Sequence, residues 1–345
     1  MLAPLFALLC VQLLFGGLPV ASKFVLSHAH PFFVVVLRSA FATLFFLLLS
    51  LLFDRKQRSP DDFETVLSRA THLRLVVLAF FGITFNQLAL FVALPQTSAS
   101  ITSIITPTIA LFTLLFSVWS GREKFQSLTL IAILLGGFGV ASVLSSGSFS
   151  AARISTTAHS GAHWANALNV MSAASYAFYL SQVGYLPTRL GSFRFSFWLF
   201  FYGFLMNSAA WCGLWLGRTF GWWSLPDSLL LKSEVHALPS SFWIGLGFLL
   251  LGATALTYFL NTWALQRVKP SLVGGFVCLQ TLFGLFLSGV FLQETLTPLM
   301  IFGSIFILSG VLLLTLASTE NRFVKKFPRQ LQMTSAPENT QRSLP

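Results

Sequence analysis

The chain has 345 residues, of which 55% are hydrophobic and 9% are charged, and its mean hydropathy is +0.78. A soluble globular domain carries roughly 25% charged residues, so this composition excludes an ordinary water-soluble protein and indicates a membrane protein. The net charge of +11 does not by itself indicate nucleic-acid binding, because membrane proteins also concentrate Lys and Arg on one side of the bilayer.

Long apolar stretches fill most of the chain. A membrane-spanning helix needs about 20 mostly apolar residues, and each span must satisfy its own backbone hydrogen bonds in lipid, which favours helices over strands. Ten spans are predicted, at residues 2–25, 32–53, 73–94, 97–119, 128–145, 162–183, 194–217, 241–264, 271–292 and 298–318. We expect the first span to be a helix rather than a signal peptide, because it lacks a basic N-terminal region.

The basic residues predict the orientation of these spans. With the N-terminus in the cytoplasm, most Lys and Arg of the loops fall on the cytoplasmic side. We therefore expect both termini in the cytoplasm and the basic surplus beside acidic lipid headgroups, with the bilayer and not nucleic acid as its partner. The apparent lack of a targeting extension favours a plasma membrane, most simply a bacterial inner membrane, with a eukaryotic organelle as the alternative. Residues 321–345 are polar and basic and are expected to form a disordered cytoplasmic tail.

The two halves of the chain carry an internal repeat. Residues 93–140 align with 264–311 at an offset of 171 without a gap, and the alignment pairs Glu123 with Glu294 and Gly139 with Gly310. Because five is odd, a second copy of a five-helix unit enters the membrane with the opposite orientation. The sequence thus predicts an all-α polytopic membrane protein, with ten transmembrane helices as a 5+5 inverted repeat and a substrate site near the midplane. The alternative is that two similar helical hairpins arose from shared composition.

Short motifs follow one another in a fixed order. The first span holds LLFGGLPVASKF, with an aromatic-Gly pair and a closing Lys, and the second holds HPFFVVVLRSAFATLFFLLL, with Arg38 inside it. The fourth span is followed by Gly121-x-Glu123, and the second half contains TWALQRVKPS and the pair Gln293-Glu294. In this order and spacing the chain resembles the EamA-like permeases of the drug/metabolite transporter superfamily.

The resemblance covers roughly residues 5–318. It implies ten helices around a central cavity and the movement of small metabolites, often outward. It also implies that residues 1–150 form the first EamA-like five-helix repeat and residues 151–320 the second. The chain departs from the pattern in two places. Gln293 stands at the repeat position of Arg122, and the sixth span, NVMSAASYAFYLSQ, lacks the aromatic-Gly pair. The resemblance does not identify a substrate.

Polar side chains inside the spans are the candidates for substrate binding, because such residues usually face the bundle interior. Lys23 and Arg38 either snorkel to the headgroups or face the cavity, where they would favour a carboxylate or phosphate. Asn86 and Gln87, near the middle of the third span, either bond between helices or contact substrate. The remaining candidates for substrate contact are Tyr176, Tyr179, Tyr258, Asn261 and Gln280.

Three further residues have predicted mechanical roles. Glu123 and Glu294 lie in short loops, where a carboxylate either caps the start of the next helix or acts as a gate latch between the moving halves. For Glu123, pairing with Arg122 or Lys124 is a further alternative. Pro107 lies inside the fourth span and is a candidate hinge, because proline removes a backbone hydrogen bond.

Several chemistries lack the residues they need. None of the acidic residues lies inside a predicted span, and the sequence has no H-E-x-x-H motif and no nucleotide-binding loop. We therefore expect no enzyme activity, no metal, no cofactor and no ATP-driven step. The lack of a buried proton carrier favours uniport or exchange, with proton coupling through the surface glutamates as the alternative.

Together these features predict a permease that moves a small solute by alternating access. We expect an exporter or exchanger of an anionic or zwitterionic solute such as an amino acid. The alternatives are a sugar- or nucleotide-conjugate exchanger of the same superfamily and a non-transporting membrane scaffold or receptor. The oligomeric state is not readable from the sequence.

Overall fold

A computed structural model of the chain describes residues 2–53, 68–121, 127–145, 161–183, 186, 190–221, 237–265 and 270–324. Over these residues the chain forms ten long helices, which confirms the predicted all-α fold. The helices are α1 Leu2–Leu26, α2 Pro31–Phe53, α3 Arg69–Gln96, α4 Ala99–Trp119, α5 Ser127–Ser145, α6 Gly161–Val183, α7 Ser192–Thr219, α8 240–265, α9 Pro270–Leu292 and α10 Pro298–Val324. Helix α10 continues past residue 320, and residues 325–345 lie outside the described residues.

Within the described residues, six helices are long and apolar enough to cross a membrane. They are α1, α2, α3, α4, α7 and α8. Helix α6 is more polar because Asn166, Asn169, Ser172 and Ser175 lie on it, and all four are buried in the protein. These side chains face other helices, so α6 does not need an apolar surface on every side.

Equivalent helices of the two halves pack against equivalent partners. Helix α1 packs on α9 and α8, and its counterpart α6 packs on α4 and α3, the counterparts of those two helices. The pairs α2 with α7 and α5 with α10 join each helix to its own counterpart. This pattern is the one that a 5+5 inverted repeat requires, since exchanging the halves turns the α1 contacts into the α6 contacts and leaves the other two pairs unchanged.

The outer surface of the bundle is apolar. Phe6, Leu44, Trp119, Ile244 and Phe286 are each more than 60% exposed. A soluble monomer rarely exposes so much contiguous apolar surface, whereas a membrane protein presents it to lipid.

Glycines bring α5 and α10 into close contact. A Cβ at Gly139 would lie 2.6 Å from the Gly303 carbonyl oxygen, and a Cβ at Gly310 would lie 2.7 Å from the Ala132 carbonyl oxygen. Small residues allow such backbone contact between membrane helices, where packing replaces the hydrophobic effect. The repeat-related Gly139 and Gly310 therefore have the same role in their two helices.

Two helices contain π-helical segments. Phe80–Phe85 lies in α3 and Phe248–Leu256 lies in α8. At the repeat offset of 171, residues 80–85 correspond to 251–256, so the segments occupy equivalent places in the two halves. π-Helical turns are rare and often occur at functional sites, which directs attention to the residues that follow them.

Helix α4 is interrupted at Pro107. Its first part ends at Ile105 and its second part begins at Thr108. Proline has no N–H to bond the carbonyl four residues earlier, that of Ser103. The Thr281 hydroxyl of α9 donates to this Ser103 oxygen at 3.2 Å and replaces the missing bond.

Candidate functional site

A cavity of about 170 Å³ lies in the centre of the bundle. Helices α1, α2, α3, α4, α6, α8 and α9 contribute to its lining, so both halves of the chain form it. Of the predicted substrate-contacting residues, the cavity brings together Arg38, Asn86, Gln87, Tyr176, Tyr258 and Gln280.

Arg38 lies inside the bundle rather than at the headgroups, with only 4% of its surface exposed. Its Nη1 donates to Gln87 Oε1 and its Nη2 donates to Thr254 Oγ1, both at 3.2 Å. The guanidinium carbon lies 5.0 Å from the centre of the Phe91 ring, within the range of a cation–π contact. Among the described residues, no carboxylate lies within ion-pair distance of this cation, and its Nε has no hydrogen-bond partner.

The π-helical segments position both partners of Arg38. Gln87 follows the segment in α3, and Thr254 lies inside the segment in α8. The Thr254 hydroxyl donates to the Leu249 carbonyl at 2.7 Å, five residues earlier, so its oxygen remains available to accept from Arg38. Sequence reasoning missed Thr254, because a threonine in a span gives no signal of its own.

Asn86 joins α3 to α6. Its Nδ2 donates to both the carbonyl and the hydroxyl oxygen of Ser172 at 3.0 Å, and the Ser172 hydroxyl donates back to the Asn86 carbonyl at 2.8 Å. Asn86 and Ser172 thus form bonds between two helices, which is one of the two roles predicted for Asn86. Asn86 also lines the cavity, so the two roles coexist.

Asn169 is a cavity residue that sequence reasoning did not single out. It lies on α6, it is 3% exposed, and its Nδ2 donates to Thr102 Oγ1 on α4 at 2.9 Å. An asparagine inside a span was the available signal, the same one that selected Asn86.

The aromatic wall of the site centres on Tyr258. Its ring contacts those of Phe15, Phe46 and Phe200, with centroid distances of 6.4, 5.8 and 5.4 Å. Tyr176 lines the cavity next to it. Phe15, Tyr176 and Tyr258 line the cavity and supply an apolar surface against which the non-polar part of a solute can pack, while Phe46 and Phe200 support Tyr258 from behind.

Three of the predicted substrate-contacting residues lie outside the cavity lining. Tyr179 is behind Tyr176, with ring centroids 5.4 Å apart, and it packs against Gly82. Asn261 is half-buried on α8, one turn beyond Tyr258. Lys23 donates from its Nζ to the Thr97 carbonyl at the end of α3, away from the cavity.

Glu294 caps a helix of the opposite half. Its Oε1 accepts from the Ala99 N–H at 2.9 Å, and its Oε2 accepts from the N–H and the hydroxyl of Ser100 at 2.8 and 2.7 Å. Ala99 and Ser100 begin α4, whereas we expected the carboxylate to cap the next helix, α10. Three short bonds to an anion satisfy the free N–H groups at the start of α4 and favour its positive end.

Other contacts close the same end of the bundle. The Thr97 hydroxyl donates to Asn166 Oδ1, which links the α3–α4 turn to α6. The Ser100 and Ser288 hydroxyls lie 2.7 Å apart and link α4 to α9. We call this end, where Glu294 meets α4, the Glu294 end. Glu123, the repeat partner of Glu294, lies outside the described residues.

A ten-helix membrane bundle with two equivalent halves and a polar cavity between them has the architecture of a secondary transporter. The EamA-like transporter family matches residues 2–145 and 163–316, most of the chain. The chain belongs to this family, and its long apolar helices are those of a multi-pass integral membrane protein.

Two further similarities accompany the family match. A WAT1-related protein of Arabidopsis thaliana is 28% identical over 124 residues, which cover 36% of this chain and 30% of that relative. A solved crystal structure is similar in fold, with a TM-score of 0.54 and 14% sequence identity, covering 91% of this chain and 97% of the other.

Proposed function

We propose that this transporter moves a small anionic or zwitterionic solute, such as an amino acid, through the central cavity by alternating access. The observation that carries the proposal is the buried cation Arg38. Burial of a charge is costly unless a partner compensates it. Neutral Gln87 and Thr254 orient the guanidinium but leave its charge without a counterion among the described residues. A carboxylate on the solute would supply that counterion.

The size of the cavity favours a small solute. Pockets for drug-sized ligands occupy roughly 300–1,000 Å³, and this cavity measures about 170 Å³. An amino acid suits such a space better than a sugar- or nucleotide-conjugate does. The observation therefore favours the first of the two transport hypotheses.

The transport cycle that we propose opens the two ends of the cavity in turn. Glu294 would hold the Glu294 end closed by binding the start of α4, and release of these bonds would open it. The predicted orientation assigns this end to the non-cytoplasmic side, with both termini in the cytoplasm. The proposal includes export or exchange as the direction, and a plasma membrane, most simply a bacterial inner membrane, as the location.

The proposal also keeps the predicted domain boundaries. The first repeat would occupy residues 1–150, the second 151–320, and the tail 321–345. The two family matches, 2–145 and 163–316, lie inside the two proposed repeats and support this division.

Binding and flux measurements on Arg38 variants test the function. The purified protein would be screened by thermal stabilisation against amino acids and simple carboxylates, then assayed for counterflow in liposomes. A ligand that binds only the folded state adds to the free energy of unfolding, by about 2.7 kcal/mol at a hundredfold excess over Kd, and so raises the melting temperature. We expect a carboxylate-bearing solute to stabilise the wild type, Arg38→Lys to weaken its binding and Arg38→Ala to abolish it.

A matched control is Arg74→Ala. Arg74 lies at the start of α3 and donates to the Gln182 carbonyl, and it does not line the cavity. Equal loss of binding in both alanine variants, or stabilisation that Arg38→Ala leaves intact, would refute the assignment of Arg38 as the anion site.

A further inference from the structure

The orientation of the Asn86 amide is fixed by a main-chain group. Its Nδ2 lies 3.0 Å from the Ser172 carbonyl oxygen, which can only accept a hydrogen bond. The atom of the amide that faces this carbonyl must therefore be the nitrogen, and the Ser172 hydroxyl oxygen is also 3.0 Å from it. The other atom of the amide, Oδ1, is directed away from Ser172, and over the described residues no group donates to it.

This oxygen is open to the cavity. The Oδ1 atoms of Asn169 and Asn207 also lack a donor within the described part of the chain, but both are sealed inside the protein, whereas Asn86 is partly exposed and its Oδ1 is not sealed. Asn86 lines the central cavity and takes no part in the apolar groove that Phe85 and Leu88 line on the outside of the bundle. The exposed part of Asn86 therefore faces inward, where a solute can reach it.

Asn86 lies next to the anion site proposed above. It precedes Gln87, whose Oε1 is 3.2 Å from the Arg38 Nη1, and consecutive Cα atoms are about 3.8 Å apart. In an α-amino acid the carboxylate and the ammonium nitrogen are bonded to the same carbon atom. Such a solute can place its carboxylate on Arg38 and its ammonium group on the Asn86 Oδ1 at the same time. The carboxylate then lies beside both cations and offsets their repulsion.

The second half of the chain does not repeat this arrangement. At the offset of 171, Thr257 is the counterpart of Asn86, and it is fully buried with its hydroxyl donating to the Gly252 carbonyl at 2.6 Å. Within the described residues, the repeat-related position thus presents no second open acceptor. The pair formed by Arg38 and Asn86 therefore defines one orientation for a bound zwitterion.

We propose that Asn86 selects zwitterionic solutes, because its Oδ1 accepts a hydrogen bond from the ammonium group of a solute whose carboxylate binds Arg38. This inference rests on the proposed transport function and names the class of solute within it, α-amino acids rather than plain carboxylic acids. A site built to bond a polar group discriminates against an analogue that lacks this group, because its own polar atom then stays unpaired.

The experiment compares paired probes. Primary α-amino acids would each be tested beside the carboxylic acid that lacks only the amino group, for example leucine beside 4-methylpentanoate. Dissociation constants would be measured for the full-length protein and for Asn86→Leu, Asn86→Ala and Asn86→Asp. The first two variants remove the acceptor, one with a side chain of similar size and one without, and aspartate keeps an acceptor at the same place.

We expect the wild type to bind at least one amino acid about tenfold more tightly than its paired acid, the order expected for a hydrogen bond to a charged group. Asn86→Leu and Asn86→Ala should bring the ratio of the two dissociation constants close to one, and Asn86→Asp should keep or increase the preference. The ratio isolates the acceptor, because damage to the contact between α3 and α6 changes both affinities alike. A purely structural role for Asn86 would leave the ratio at its wild-type value.

Ser172→Ala is the matched control. It removes the hydroxyl that bonds Asn86 but keeps the carbonyl that orients the amide, so it weakens the contact between α3 and α6 without removing the acceptor. The preference for amino acids should persist in this variant. Its loss in Ser172→Ala as well as in Asn86→Ala would assign the preference to the helix contact and overturn the role of the Asn86 oxygen.

The inference and the proposed function fail in different ways. A wild type without any preference, or a preference that Asn86→Leu and Asn86→Ala both retain, would overturn the role of Asn86. If carboxylic acids still bound in an Arg38-dependent manner, the proposed function would survive that result. If neither amino acids nor carboxylic acids bound through Arg38, both proposals would be overturned.

Discussion

At the residue scale, the orientation of Arg38 depends on two neutral acceptors. A guanidinium in a membrane protein could adopt many rotamers, and the bonds to Gln87 and Thr254 restrict it to one. Since both acceptors are uncharged, they orient the cation without neutralising it. A cation that is oriented in advance binds an anion with a smaller loss of side-chain entropy.

Thr254→Val tests this positioning role. Valine has the shape of threonine without the hydroxyl, so the cavity keeps its form while Arg38 loses one acceptor. We predict that the affinity for the carboxylate-bearing solute falls about three- to tenfold, in keeping with the loss of one hydrogen bond to a charged group. Ligand-dependent thermal shifts measure the change, and Thr254→Ser should restore the affinity. An unchanged affinity in the valine variant would show that Gln87 alone is sufficient.

The sequence predicted part of this site. Arg38, Asn86 and Gln87 stand out because charged and amide side chains are rare inside apolar spans, and all three line the cavity. The sequence did not predict which acceptors Arg38 would use. That choice depends on the rotation between α2 and α8, and on the π-helical segment of α8, which no local pattern in the chain reveals.

At the scale of the elements, the break in α4 depends on a bond from another helix. Proline removes the N–H that would bond the Ser103 carbonyl, and the buried Thr281 hydroxyl of α9 supplies a donor in its place. In membrane proteins, side chains of neighbouring helices commonly donate to the carbonyl groups that a proline leaves without a partner. Pro107 therefore marks an interruption of α4 whose freed carbonyl is bonded, and its role as a hinge stays a prediction.

We predict that Thr281→Val destabilises the protein by about 1 kcal/mol, the usual order for one buried hydrogen bond. In a Pro107→Ala background the same change should cost less, because the alanine N–H can bond Ser103 itself. Thermal or denaturant unfolding of the two single variants and the double variant in detergent gives the coupling energy. Additive effects would mean that Thr281 does not compensate for the proline.

The contact between α5 and α10 offers a second test. We predict that Gly139→Leu lowers the melting temperature, because its side chain would overlap the Gly303 carbonyl and separate the helices. Overpacking of this kind typically costs about 1–3 kcal/mol. Gly137→Leu is the control on the same helix, since a Cβ at Gly137 meets no atom within 4 Å. Equal stability of the two variants would contradict the close packing at Gly139.

At the scale of the whole molecule, the repeat was visible in the sequence. Rare residues such as the glutamates and the Gly-Val pairs gave the offset of 171, and the packing of α1 and α6 on equivalent partners follows the same exchange. The sequence did not predict that Glu294 would cap α4. The loop glutamate was assigned to its nearest helix along the chain, whereas the inverted arrangement brings a helix of the other half closer.

Glu294→Gln tests whether this cap holds the Glu294 end closed. A carboxylate accepts from three donors with two oxygens, whereas an amide has one accepting oxygen and turns an NH₂ group toward the remaining donors. We predict that the Ala99 and Ser100 amides exchange hydrogen about tenfold faster, as expected when bonds to a charged group are lost. Hydrogen exchange with mass spectrometry measures the change, alongside counterflow in liposomes.

Exchange in the α5–α10 pair is the internal control, since this pair lies apart from the cap. Faster exchange throughout the protein would indicate general destabilisation. Unchanged exchange at the start of α4, with unchanged flux, would rule out Glu294 as a latch.

The paired π-helical segments also carry information about the history of the chain. A π-turn holds more residues than an α-turn, so its simplest origin is the insertion of a residue into an older α-helix. The two segments coincide at the repeat offset, in residues 80–85 and 251–256. One insertion before the gene duplicated explains both, whereas two later insertions would have had to choose the same turn. An ancestral five-helix unit that already contained this distorted turn would account for both segments.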